Sequence, residues 1–287
     1  MEKPISELLQ FSILNIDKPS GPTSFSVSDF VRKKLQEIGI KKTSHFGTLD
    51  PKVTGVLPIA LNRACKLTGF FLGHDKEYVG IMHCHKEISL KELQEIINKK
   101  FIGKIMQKPP IKSRVKREER EREIMSFEIL EQGENNKDFL FKTKVQGGTY
   151  IRKLIDDLGK EIEGAHMLEL RRIQAGIFSE NDKEFVNLYD FEKAVEEYKQ
   201  GREENLRKIL IPAEIAIKQI FPIIQVKENT VKSLLTGKPL FKEDLAGKTQ
   251  NFKEEELFAV FSGEKFIEIA KKSPEKDIFA RPEFVFN

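Results

Sequence analysis

Tryptophan is absent and cysteine nearly so: the 287 residues hold no Trp and only Cys65 and Cys84. Two thiols are too few for a disulfide framework or a four-thiolate zinc site, and they read as the reduced cysteines of a cytosolic protein. His83, Cys84 and His85 are neighbours. In an extended strand, however, Cys84 points away from both histidines, so no metal is expected there. Charge of one sign is also lacking, with 49 Lys and Arg against 45 Asp and Glu and a formal net charge of +4. That balance permits nucleic-acid binding through local patches without requiring it. No apolar run approaches the roughly 20 residues that span a bilayer. The amino-terminal MEKPISELLQFSIL has no basic region followed by a long apolar one, so neither a membrane segment nor a signal peptide is expected. P-loop and dinucleotide fingerprints are missing, as are internal repeats and low-complexity tracts.

What is present suits a packed protein of one large and one small domain. Hydrophobic residues make up 39% and charged residues 33% of the chain, which allows a substantial core. Residues 13–17 read as a short strand, closed by the turn chemistry of Lys18-Pro19-Ser20-Gly21-Pro22. Thr23 and Ser24 can cap a following helix, in which Val27, Phe30, Val31, Leu35 and Ile38 recur at helical spacing until Gly39. After a loop-rich passage over 41–58, helices are expected over 62–72, 90–97 and 149–161. Strands are expected over 78–85, 124–131 and 139–145, with an extended stretch over 169–178 and a polar hairpin loop over 134–138. The elements interleave without regular strand–helix alternation. The fold class is therefore α+β, a mainly antiparallel mixed sheet flanked by helices. A polar helix over 191–210 and Pro212 mark a boundary, giving domains at 13–215 and 216–287. Short β-rich runs beyond Phe221 have the texture of a small barrel. Residues 1–12 are expected to pack on that second module.

The most informative passage is residues 47–61, GTLDPKVTGVLPIAL. Asp-Pro is a common turn, and a loop Asp ordinarily serves local hydrogen bonding. Here the setting differs. Gly47 and Gly55 permit close approach of backbone, while Leu49, Val53, Val56 and Leu57 offer an apolar wall. An unpaired carboxylate against such a wall is costly, so Asp50 is expected to have a cationic partner elsewhere in the chain.

This stretch resembles the catalytic motif of the TruB/dyskerin family of pseudouridine synthases. Further segments follow the family's order: LNIDKPSGPTS at 14–24, KEYV at 76–79, GTYIRKLI at 148–155 and GAHMLELRR at 164–172. The resemblance covers about residues 13–178. It implies that Asp50 attacks the target nucleotide, that Arg152 pairs with it, and that Tyr78 stacks on the uracil. It further implies that His45 contacts RNA near the extruded nucleotide, that Leu170 lines an apolar pocket, and that Tyr150 lies beside the substrate. Lys18, with Pro19, matches a segment that positions the catalytic loop. Ser44 and Phe46 replace the residues more usual around that histidine. Isomerising uridine breaks N1–C1′ and rejoins the base through C5. Nothing is oxidised and no phosphate moves, so neither cofactor nor metal is required.

Residues 86–88 lead straight to Ser89 without the long insertion of stand-alone bacterial tRNA enzymes, and 107–117, QKPPIKSRVKR, resembles the archaeal guide-dependent branch. Residues 221–287 resemble a PUA domain, through FPIIQV, LLTGKPL and ELFAVF. This branch implies a box H/ACA guide RNA and target rRNA as partners, with Gar1, a small Nop-type protein and a kink-turn binder. Lys112, Arg114, Lys116, Arg117, Arg171 and Arg172 are then candidates to face phosphates. The ordinary reading of 116–123 is a self-compensated charged surface. The rival functions are a stand-alone enzyme acting on tRNA at its T-loop uridine, and a non-catalytic RNA scaffold.

Overall fold

The computed structural model describes residues 3–109, 116, 118–247 and 250–287. The chain divides into two compact units, Met1–Leu210 and Ile211–Asn287. The first is built from β1 (Ser12–Lys18), α1 (Ser24–Leu35), β2 (Thr43–His45), β3 (Thr54–Leu61), β4 (Lys76–Cys84), α2 (Leu90–Lys100), β5 (Gly103–Gln107), β6 (Arg120–Gln132), β7 (Asp138–Val145), α3 (Ile151–Glu161), β8 (Ala165–Ala175), β9 (Phe178–Ser179), β10 (Phe185–Asn187) and α4 (Leu188–Lys199). Its sheet runs β10-β1-β3-β8-β4-β7-β6-β5, with β2 against β3 and β9 against β8. β1 pairs with β10, and β3 with β8, in parallel. The other neighbours in that order are antiparallel. This is the mixed α+β arrangement that the sequence pattern implies.

Local chemistry accounts for the elements. The Ser26 N–H donates to Thr23 Oγ1 at 3.0 Å and caps α1. Val27, Val31 and Leu35, four residues apart, are the buried stripe of that helix. Ser89 caps α2 in the same way. In β4 and β7 buried positions alternate with less buried ones, as in a strand with one face on the core. β3 is buried almost throughout, as befits a central strand covered on both faces. At Gly55, which has φ near +99°, a Cβ would stand 2.1 Å from the Arg172 carbonyl oxygen. The β3/β8 pairing therefore leaves no room for a side chain. The core joins Leu14, Ile16, Val31, Leu57, Met82, Phe141, Leu154 and Leu158. Ile5 and Leu9, from the segment expected to pack on the second module, contribute to this same core.

Two boundaries differ from expectation. Residues 62–72 form a 3-10 segment, Asn62–Leu67, before a short α-helix, Thr68–Leu72. The left-handed Asn62, φ 44°, starts that segment, and its side chain accepts from the Lys41 and Lys42 amides. The polar stretch 191–210 is two helices, α4 and a shorter one at Glu204–Ile209, separated near Gly201 with φ 87°. No helix among the described residues is long and apolar enough to cross a membrane.

The second unit carries β11 (Ile223–Gln225), β12 (Leu257–Ser262), β13 (Lys265–Lys272) and β14 (Ala280–Val285) in one four-stranded sheet of that order. Ile224, Leu234, Leu240, Phe258, Val260 and Ile267 form its own core. Glu268, on β13, is fully buried, and neither carboxyl oxygen has a hydrogen-bond partner among the described residues. Burial pushes its pKa up to about 8. The unfolded chain releases this proton near pH 4.5, while the folded chain holds it to about pH 8. Stability must therefore fall as pH rises through that window, by about 1.4 kcal/mol per unit at most. Replacing Glu268 with Met removes the liability. In urea unfolding followed at pH 5 and pH 8, the variant's advantage over the wild type should widen at the higher pH; a constant gap would show that Glu268 ionises normally.

Candidate active site

Asp50 lies in the loop between β2 and β3, and that loop is fastened from beneath by two buried cations. The Lys18 ammonium, at the end of β1, donates to the carbonyls of Pro19 (2.8 Å), Pro51 (3.0 Å) and Val53 (2.8 Å). It is fully buried. Desolvation lowers its pKa, and the charge of Asp50 partly restores it. The Arg172 guanidinium, on β8, donates from Nε to Val56 O (2.8 Å) and from Nη2 to Gly47 O (3.0 Å). Lys18 thus holds the carbonyls just after Asp50, and Arg172 holds those at the two ends of the loop. Ser24 adds a third clamp: its Oγ accepts from the Leu49 N–H (2.7 Å) and donates to the Leu49 carbonyl (2.9 Å). Leu49 and Val53 anchor the same loop in the core.

The cationic partner expected of Asp50 is Arg152, near the start of α3, which donates from Nη2 to Asp50 Oδ2. The apolar recess expected around that carboxylate is not found. The Asp50 side chain is 49% exposed and that of Arg152 64%. Leu49, Val53, Val56 and Leu57 turn into the core instead. Such a solvated pair adds little to stability, so both charges stand available to a ligand. The arrangement offers a fixed carboxylate at the surface, with a guanidinium on one oxygen.

Other residues of the motifs gather around this loop. Tyr78 is 7% exposed and sits directly across the β4/β8 ladder from Arg172. Burial lowers the Arg172 pKa, and the neighbouring Tyr78 opposes that shift. His45, on β2, is half-buried, with Nδ1 shielded and unpartnered among the described residues. Burial, and then the charge of Arg172, lower its pKa, which favours a neutral ring at pH 7. Lys76, at the start of β4, is a third buried cation, donating to Leu72 O at 2.8 Å. Burial and the nearby Arg172 bring it down to about 8. The Tyr150 backbone is gripped by the buried Gln107, which accepts from its N–H (3.0 Å) and donates to its carbonyl (3.3 Å). That fixes the entry into α3 two residues before Arg152. Leu170 belongs to the core.

The phosphate-facing candidates fare differently. Arg172 is 1% exposed and bonded to carbonyls, so it cannot meet a phosphate. Arg171 is spent as well, donating to both oxygens of Asp17 (3.0 and 3.2 Å) and to Glu180 (2.8 Å). In β8 the side chains alternate faces, so Arg172 is buried while Arg171 stays partly exposed. Lys116 is exposed and ion-paired with Glu118, the self-compensated arrangement. Lys112, Arg114 and Arg117 lie outside the described residues. Ser24, Lys76 and Gln107 are the site-building residues that motif reading passed over. Ser24 resembled a second helix cap, and nothing local in the sequence marks Lys76 or Gln107 as buried.

The comparisons with known proteins identify the family. Residues 32–151 match the family model described as TruB family pseudouridylate synthase (N terminal domain). Residues 152–218 match that of the tRNA pseudouridylate synthase B C-terminal domain. A probable tRNA pseudouridine synthase B of Nanoarchaeum equitans is 42% identical over 260 residues, spanning 90% of this chain and 72% of the relative. One of the same name from Methanococcus aeolicus is 46% identical over 237 residues, 82% and 69% of the two chains. Among solved structures, a chain of a Cbf5-Nop10-Gar1 complex superposes with a TM-score of 0.89 at 34% identity, covering 99% of this chain and 88% of that one. A chain of an H/ACA RNP bound to a substrate RNA containing 2'-deoxyuridine gives 0.88 at 33%, with the same coverage. The fold and its site define an RNA-modifying isomerase, and the chain belongs to the TruB family of pseudouridine synthases. Its activity is the isomerisation of uridine to pseudouridine.

The Ser24 clamp can be tested alone. Ser24→Ala leaves the buried N–H and carbonyl of Leu49 without their partner, which should cost about 1–3 kcal/mol. Urea unfolding of the variant against the wild type reads that loss; equal midpoints would show that the loop holds its shape without the hydroxyl.

Proposed function

We propose that Asp50 is the carboxylate that attacks the target nucleotide, and that Arg152 keeps it ionised and aimed until the substrate arrives. The observation that carries this reading is the Asp50–Arg152 contact, made across 102 residues of sequence onto a loop clamped by Lys18, Arg172 and Ser24. A guanidinium's permanent charge and planar fork suit that task. The uridine must leave its stack, at a cost of a few kcal/mol. Its base then meets Tyr78, proposed to stack on the uracil and assist proton removal, with His45, Tyr150 and Leu170 around it. Entry of the base would strip water from the exposed carboxylate, which raises its attraction for the developing positive charge of the sugar or ring. The nucleophile splits one difficult step in two: N1–C1′ breaks, the base turns, and C5 bonds to C1′ with loss of the C5 hydrogen. Lys18 stays beneath the loop and takes no part in bond making.

The branch proposed is the guide-dependent one. The enzyme would be the catalytic subunit of an archaeal box H/ACA particle, in which guide RNA selects the uridine of an rRNA target. Its partners would be Gar1, a small Nop-type protein and a kink-turn binder. Supporting this are the likeness to chains solved in Cbf5-Nop10-Gar1 and H/ACA complexes and the five residues that join β4 directly to α2 without insertion. Residues 13–215 would then be the catalytic domain. Residues 216–287, with their four-stranded sheet, would be a PUA-type barrel that binds RNA. The second reading, a stand-alone tRNA enzyme, has in its favour the relatives named as probable tRNA pseudouridine synthases B.

Release of tritium from 5-tritiated uridine tests both levels. Asp50→Asn keeps the shape and removes the charge. It should cut turnover more than about 10³-fold while RNA binding stays near the wild-type level. Undiminished release would remove Asp50 from its role. For the branch, guide plus target RNA together with the protein partners should support release that unguided tRNA does not; efficient modification of tRNA by the protein alone would favour the second reading.

A further inference from the structure

Three histidines that lie far apart in sequence meet at the end of the sheet. His83 is the penultimate residue of β4, His85 follows Cys84 just beyond the strand, and His166 comes from β8 directly across the ladder from His83. On the other side His83 faces Asp138, the first residue of β7. The alternation of the strand puts His83 and His85 on one face and leaves Cys84 buried on the other. The ring centres of His83 and His166 are 5.2 Å apart, those of His85 and His166 5.3 Å, and those of His83 and His85 6.2 Å.

We propose that His83, His85 and His166 form a binding site for one divalent transition-metal ion, Zn²⁺ being the ion of choice. The spacing carries the argument. A tetrahedral ion with nitrogens at about 2.0–2.1 Å holds the centres of its imidazole rings about 5.2 Å from one another. Two of the three separations already have that value, and the third, His83–His85, exceeds it by about one ångström, within reach of a rotation of the exposed His85 ring while His83 stays partly buried. The protonation pattern fits as well. His83 Nδ1 donates to Asp138 Oδ1 at 2.6 Å, which leaves the lone pair on Nε2 and supplies the carboxylate that ligating histidines ordinarily carry behind them. The same carboxylate also accepts from the Asn135 amide at 2.7 Å, so it is held in place. His85 is set by Gly164, where a Cβ would come within 2.2 Å of Nδ1. With Nδ1 against the glycine, Nε2 is the nitrogen that points at His166 Nδ1, 3.1 Å away.

Without an ion, those two nitrogens share a proton instead of converging on a point, and among the described residues no group of three ligands is already gathered for a metal. Binding requires that proton to pass, through solvent, to the far nitrogen of the ring that carried it. All three rings then ligate as neutral imidazoles, and water completes the coordination. The ion would tie the end of β4 to the start of β8, with β7 held through Asp138. Five residues separate His83 from Tyr78 along β4, roughly 17 Å at strand rise, so the site is remote from the reaction.

Calorimetry with ZnCl₂ on the full-length protein, stripped with a chelator and held at pH 7.5, should give one ion per chain with micromolar affinity. Co²⁺ should give the visible absorption of a tetrahedral site. Binding should disappear in His166→Ala and in His85→Ala. In Asp138→Asn, which keeps every ligand, it should weaken by about 10–100-fold. Zn²⁺ should raise the melting temperature of the wild type and not of His166→Ala, with tritium release unchanged in both. Failure of the wild type to take up Zn²⁺, or uptake by His166→Ala equal to the wild type, would overturn the proposal.

Discussion

Everything at the site hangs on positive charges buried beneath a loop and bonded to its carbonyls. Lys18 and Arg172 lie in the interior, with no carboxylate as hydrogen-bond acceptor among the described residues; their acceptors are backbone oxygens at Pro19, Gly47, Pro51, Val53 and Val56. Burying a charge is costly unless hydrogen bonds replace the water it loses. The loop must therefore keep the shape that presents those carbonyls, or strand the cations. The need to satisfy Lys18 and Arg172 thus shapes the turn around Asp50.

The same arrangement separates rigidity from reactivity. The loop is anchored by its backbone and by Leu49 and Val53, whereas the Asp50 side chain and its partner Arg152 stay half or more exposed. A carboxylate buried in advance would need its charge compensated permanently. An exposed one on a rigid base stays hydrated until a ligand covers it. Lys18, buried beneath the loop, feels the charge of Asp50, which opposes the lowering of its pKa by burial.

The site also clarifies what arginine does on β8. Arg171 and Arg172 are adjacent in sequence, yet strand alternation sends them to opposite faces. One is locked by Asp17 and Glu180, and the other by Gly47 and Val56. Both are structural cations.

The pairing of Asp50 with Arg152 came from the family resemblance; the sequence by itself determined the α+β class, the capped α1 helix and the loop that carries Asp50. Each of these rests on short-range periodicity or on motifs whose residues stay together. It also pointed to Lys18 as a positioning residue. Tertiary structure alone decided which charges are buried and what they touch. Hydrophobic spacing cannot tell that Arg172 and Lys76 are interior while Arg152 is exposed, because burial of a cation depends on which carbonyls the folded chain brings to it. Ser24 read as a second cap because its partner, the Leu49 backbone, is 25 residues away. His83 and His85 alone made no site; His166 joins them only through the β4/β8 register, and a long-range strand register leaves no local trace in sequence.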